Sequence, residues 1–171
     1  MKYPILILDE HRVLFHKSIF MQNLNPAKKL QILFVDDDAD DRDIINEVFC
    51  RLQWQEHIHI CKDAESLFWH LSTLSANMLP SLIVLDTQLP KQGGESIIKM
   101  LKFQDRYKHI PVIMLTSSLT ERKRKTFSLL GATNSLQKPD TLQAYESMMH
   151  QLKEYCSTLQ DTEKEYSRSC L

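Results

Sequence analysis

No Cys-x-x-Cys pair occurs in this chain; Cys50, Cys61, Cys156 and Cys170 stand apart and share no metal-ligand spacing with the seven histidines. That argues against a zinc site or a disulfide framework and leaves buried or idle thiols in a reducing compartment as the expectation. Long apolar runs are missing too, since none approaches the roughly 18 residues of a membrane span. The short run Ile5 to Leu8 is followed at once by Asp9, Glu10, His11 and Arg12, too soon for a signal peptide. A cytoplasmic protein is expected. Neither sign of charge dominates, with 21 Lys and Arg against 22 Asp and Glu and a net charge of −1. Such a balance speaks against a general nucleic-acid binder or a polybasic membrane protein and for specific protein partners.

What is present is an apolar run that stops abruptly in carboxylates: Ile32, Leu33, Phe34 and Val35, then Asp36, Asp37 and Asp38. A short uninterrupted apolar run suits a buried parallel strand, and acids at its carboxyl end would lie in the crevice where open α/β sheets bind ligands. Adjacent buried carboxylates repel, so they call for a cation. The arrangement recurs in Leu82 to Leu85 followed by Asp86, and in Val112 to Leu115 followed by Thr116. Three strands each deliver a polar residue to one edge.

The intervening segments read as helices. Asp38 or Asp40 caps one running to about Gln53, and Asp63 opens another after the alternating His57 to Cys61. Ile97, Ile98, Leu101 and Lys102 mark a third, a fourth runs from Thr120 to Gly131, and Asp140 is expected to cap a last one carrying Leu142, Tyr145, Met148, Met149 and Leu152. Strands alternating with helices imply a parallel sheet covered on both faces. With 171 residues the chain suffices for one domain of about 120 residues plus appendages. We place these as residues 1–30, where Ile5 to Leu8 and Asp9 begin a surplus strand-helix unit, residues 31–155 as the domain, and residues 156–171 as a frayed helical tail. Asp41, Asp43 and His70 read as solvated helix positions and Trp54 and Trp69 as packing residues. The run Arg122 to Lys125 is either a solvated surface or a docking patch for an acidic partner, and its cations sit unfavourably near a helix amino terminus.

The acidic pair Asp36 and Asp37, Asp86 with Leu89-Pro90 and Gly93-Gly94, Thr116-Ser117, and Lys138-Pro139 after Gly131-Ala132 occur in an order that resembles the receiver domain of bacterial two-component response regulators. The resemblance suggests a stand-alone regulator of the chemotaxis-regulator-like or phytochrome-associated type, too short to carry a usual output domain. It implies a flavodoxin-like (βα)5 doubly wound parallel sheet, strand order 2-1-3-4-5, with the site at the switch between the first and third strands. It also implies that Asp86 accepts a phosphoryl group from a histidine kinase or a histidine phosphotransfer protein. Asp37 and Asp86 would then bind Mg²⁺ directly, Asp36 through water, and the backbone carbonyl of Gln88 would add a ligand. Thr116, Ser117 and Lys138 would bind the phosphoryl group and switch, and the Lys138-Pro139 bond would be cis. Output would pass through a downstream protein or self-association, without DNA or membrane, and the protein would be no enzyme beyond self-phosphorylation and self-dephosphorylation.

One position departs from the pattern. Ser135, three residues before Lys138, stands where the family has a large side chain whose rotation reports phosphorylation. Coupling is therefore expected to be weaker or carried by the loop after Thr116. Other readings stay open on sequence grounds. A degenerate receiver would act as a phosphorylation-independent interaction module. A haloacid-dehalogenase-type phosphatase would use Asp36 and Asp38, and an EF-hand calcium loop would begin at Asp36, although Asp41 occupies its glycine position.

Overall fold

The computed structural model describes residues 30–54 and 57–169, with side chains to residue 158. The surplus unit expected in the first thirty residues lies outside them apart from Leu30, as does Cys170. Five strands alternate with five helices: β1 (Ile32–Val35), α1 (Ala39–Arg51), β2 (Ile58–Cys61), α2 (Ala64–Thr73), β3 (Leu82–Asp86), α3 (Gly93–Phe103), β4 (Val112–Thr116), α4 (Glu121–Leu129), β5 (Asn134–Gln137) and α5 (Leu142–Ser169). A 3-10 turn at Ala76–Met78 precedes β3. All strand pairs are parallel and the order is 2-1-3-4-5, as the resemblance implied.

The pleat divides the core in two. Leu33, Val35, Ile83, Leu85, Val112 and Met114 point to the face covered by α2, α3 and α4, while Ile32, Phe34, Leu82, Val84, Ile113 and Leu115 meet α1 and α5. Strands β1, β3 and β4 are buried throughout because both faces are covered, which is why they read as continuous apolar runs. Burying each large aliphatic side chain contributes about 1.5–3 kcal/mol, so truncating Leu101, fully buried on α3, would cost roughly 2–5 kcal/mol.

Helix starts follow their caps. Asp38 accepts from Asp40 N and opens α1, Asp63 and Ser66 form a reciprocal capping box on α2, and Thr120 caps α4. At α5 the expected cap is replaced by its neighbour: Thr141 Oγ1, not Asp140, accepts from Ala144 N. Helix α5 then continues unbroken past Tyr155, and Cys156 is fully buried in the α1–α5 core. Among the described residues, Cys50, Cys61 and Cys156 form no disulfide. Among the described residues no helix is long and apolar enough to cross a membrane.

Candidate functional site

The carboxyl edge of the sheet assembles the site because each predicted site residue lies in a strand or within two residues of its end. One step beyond the last ladder pair of β1 and β3, Val35 with Leu85, the chain places Asp36 beside Asp86. Backbone hydrogen bonds carry the ladder past the strands: Asp36 N donates to Cys61 O at 3.0 Å, Thr87 N to Leu115 O at 2.9 Å and Lys138 N to Thr116 O at 2.8 Å. The main chain under each site residue is thus pinned by its neighbour. Gly94 lets α3 start close against this edge, since a Cβ there would lie 2.4 Å from Asp86 O.

Asp36 and Asp86 are buried and Asp37 is exposed; one carboxylate oxygen from each lies within 4.8 Å of the others. Asp36 Oδ1 accepts from Asp38 N at 3.0 Å and Asp86 Oδ1 from Gln88 N at 2.9 Å. Lys138 Nζ donates to Asp86 Oδ2 at 2.7 Å and contacts Asp36 Oδ2 at 2.8 Å and Asp41 Oδ2 at 2.6 Å. Asp36 Oδ2 is buried and makes a 2.8 Å ion pair with Lys138 Nζ, with no other partner among the described residues. Burial pushes the Asp36 carboxyl up to about 6; Lys138 opposes this and Asp86 adds to it. Burial alone would lower Lys138, but its contacts with Asp36, Asp41 and Asp86 outweigh it and raise the pKa, so the ammonium stays charged. A buried carboxylate oxygen whose one partner is that ammonium, in an all-oxygen cluster open to solvent at Asp37, suits a hard divalent cation such as Mg²⁺.

Thr116, buried at the end of β4, donates weakly to Ser118 O at 3.4 Å, and Ser117 Oγ donates to Gln88 Oε1 at 3.1 Å, linking the loops after β3 and β4. Ser135 is buried on β5 next to a cavity of about 210 Å³ lined by Arg124, Phe127, Ser128, Ala132 and Asn134 among others. A small side chain there leaves unfilled the space that a large one would occupy.

Several expectations need correction. Asp41 is no solvated helix position: it is half-buried, bonded to Lys138 and accepting from Tyr145 Oη at 2.8 Å. It adds a fourth carboxylate, so with one ammonium and one divalent cation the formal sum is −1. Lys123 is not merely surface either, because its Nζ donates to Thr116 Oγ1 at 3.2 Å and Ser118 O at 2.8 Å. Arg42 donates to Asp36 O at 2.9 Å. His70 stacks on His59 with centroids 3.7 Å apart. Trp69 does not pack, being 68% exposed, whereas Trp54 lies against Phe49, His150 and Lys153. The Lys138-Pro139 bond is trans, the lower-energy isomer by about 0.5–1 kcal/mol. Because β1 precedes Asp36 and α1 begins at Ala39, the acids form a strand-to-helix turn rather than an EF-hand loop between helices.

Residues 32–150 match the family model of the response regulator receiver domain. The chain is 27% identical over 120 residues to the chemotaxis protein CheY1 of Helicobacter pylori strain J99, covering 70% of this chain and 94% of that one. It is 31% identical over 100 residues to the response regulator Rcp1 of Synechocystis sp., 57% of this chain and 67% of the relative. A solved Mn²⁺-bound form of Rcp1 superposes with a TM-score of 0.57 at 28% identity, over 70% of this chain and 88% of that one. Strand order, the acidic edge and these matches agree, and the chain belongs to the response regulator receiver family.

Proposed function

We propose that Asp86 accepts a phosphoryl group from the phosphohistidine of a kinase or phosphotransfer protein, and that this transfer controls binding to another protein. The observation that carries the reading is the convergence on Asp86, at the end of β3, of Lys138, Asp36 and Asp37. An Asp86 oxygen attacks phosphorus, an acyl-phosphate P–O bond forms, the P–N bond breaks, and the imidazole leaves with the electron pair and is protonated. Four carboxylates beside one ammonium repel such a donor, since two unit charges 4 Å apart interact by about 4 kcal/mol at an effective dielectric near 20. Asp36, Asp37, Asp86 and the Gln88 carbonyl would hold Mg²⁺, which when bound neutralises phosphoryl oxygens; the Mn²⁺-bound relative supports this assignment. Lys138 supplies an ammonium to the phosphoryl group, and Thr116 turns its hydroxyl from Ser118 O toward it, with Ser117 alongside.

Incubation with acetyl phosphate and Mg²⁺ should raise the intact mass by one phosphoryl group, and Asp86→Asn should abolish the increase. Undiminished labelling of Asp86→Asn would sink the assignment. No labelling of the unaltered protein would favour the phosphorylation-independent interaction module.

A further inference from the structure

With serine at position 135, no large side chain stands at that place on β5 to carry the state of Asp86 outward, yet the site is wired to another part of the fold. Lys138 Nζ touches three carboxylates. Two of them, Asp36 and Asp86, belong to the acidic trio able to hold a cation; Asp41 does not. Asp41 stands in the first turn of α1, and its second oxygen accepts the hydroxyl of Tyr145, which is 1% exposed on α5. The path from Asp86 therefore runs through Lys138 and Asp41 to a buried phenol on the neighbouring helix α5.

We propose that Asp41 is a positioning residue that competes with the phosphoryl group for Lys138, and that Tyr145 transmits the outcome to the α1–α5 face. The inference rests on the reading of Asp86 as phosphoacceptor. An ammonium has three protons, and in the unphosphorylated protein it faces three carboxylate oxygens at 2.6 to 2.8 Å. A phosphoryl group on Asp86 adds acceptors without adding a donor. Asp41 is the contact that yields, because its other oxygen keeps the Tyr145 hydroxyl and its side chain, 22% exposed, reaches water, whereas Asp36 and Asp86 are almost fully enclosed. Once released, Asp41 keeps a charge-assisted bond to Tyr145 and draws on the ring from the solvent side. Burial and the neighbouring Asp41 keep the phenol protonated, so it remains a donor throughout.

Helix α5 is coupled to α1 along its length. Tyr145, Met148, Met149 and Leu152 pack in one cluster with Ile45, Val48 and Phe49, and farther along Lys153 sits 3.9 Å over the Trp54 ring with His150 at its edge. Trp54 is therefore a built-in reporter of α5. Trp69, exposed on α2, is the second tryptophan, and Trp69→Phe removes its background.

In the full-length Trp69→Phe protein, labelling at Asp86 is followed by intact mass while Trp54 emission is read in the same samples. Labelling should shift the emission, and Tyr145→Phe, which removes one oxygen and keeps the ring, should lose most of that response per labelled molecule. Asp41→Asn, which weakens the competing contact, should label roughly tenfold faster with acetyl phosphate, the scale of one charge-assisted hydrogen bond. A purely structural role for the pair would change melting temperatures in both variants but neither of these readouts. A full emission response in Tyr145→Phe overturns the relay, as does labelling of Asp41→Asn no faster than the parent. Absence of labelling in the parent overturns the phosphoacceptor reading and the relay together.

Discussion

Two lysines reach into the protein from opposite ends of the sheet and meet different company. Lys138, at the carboxyl edge, is surrounded by carboxylates, and although burial works against its charge, Asp36, Asp41 and Asp86 hold it protonated. Lys102, near the end of α3, donates to the backbone carbonyls of Lys108 at 3.1 Å and Ile110 at 2.6 Å, just ahead of β4. With carbonyl dipoles in place of carboxylates, burial dominates and lowers its pKa from 10.5 to about 8. Its stem also lies under Gly131, where φ is +91° and a Cβ would come 3.1 Å from Lys102 Cγ. Enclosure alone sets neither the charge nor the role of a buried lysine; the partner does. Lys138 sits among the carboxylates of the candidate site, and Lys102 staples the loop between α3 and β4.

Removing each ammonium in turn separates the two roles. Lys138→Met should slow acetyl-phosphate labelling of Asp86 by about 10²–10³-fold, the usual cost of losing one donor aimed at developing charge. Lys102→Met should label at the wild-type rate, because its ammonium faces the other end of the sheet. Equal slowing in both variants, measured by intact mass against time, would show that Lys138 acts through stability alone.

The two lysines also differ in how far sequence could identify them. Lys138 was recognisable through the resemblance, as Lys138-Pro139 after Gly131-Ala132, whereas Asp36, Asp86 and Thr116 were already marked as polar residues ending apolar strands. Asp41 and Tyr145 carry no such mark. They lie 104 residues apart, and an acid in the first turn of a helix or an aromatic in its apolar stripe has an ordinary local explanation. Lys123 was hidden for a similar reason, one cation among four, distinguished only by the turn of α4 that points it at Thr116. Trp69 could have been placed correctly: Leu67 and Leu71 face the core, and two residues from either along a helix is a turn of about 200°.

The second test of the comparison is pH. Lys102 in the folded protein holds its proton less tightly than in the unfolded chain, 10.5 falling to about 8. Between these values the unfolded state binds more protons, so stability should rise with pH across that window; below pH 8 the contribution is constant. Melting temperatures of wild type, measured against Lys102→Met from pH 8 to 10, should show a relative gain. A flat difference would mean that the two carbonyls satisfy the ammonium fully.

The smallest effect is expected at Asp36, which brings the logic of Lys102 to the carboxylate side of the site. Its carboxyl is raised from 3.8 to about 6, chiefly by burial. Between those values the folded protein binds more protons than the unfolded chain, so this group's contribution should fall as pH rises from about 4 to 6 and stay at its minimum above. Melts in chelator should therefore show a downward slope in wild type relative to Asp36→Asn over that range. Mg²⁺ binds the ionised cluster, so saturating metal at pH 7 should restore stability by mass action in wild type and much less in Asp36→Asn. If instead the slope survives in Asp36→Asn, the titrating carboxyl is another member of the cluster, and the buried Asp36 carboxylate is not what a cation relieves. If the slope vanishes but Mg²⁺ stabilises both proteins equally, Asp36 carries the strain without sharing in the metal, and Asp37 and Asp86 hold the ion with main-chain oxygen alone.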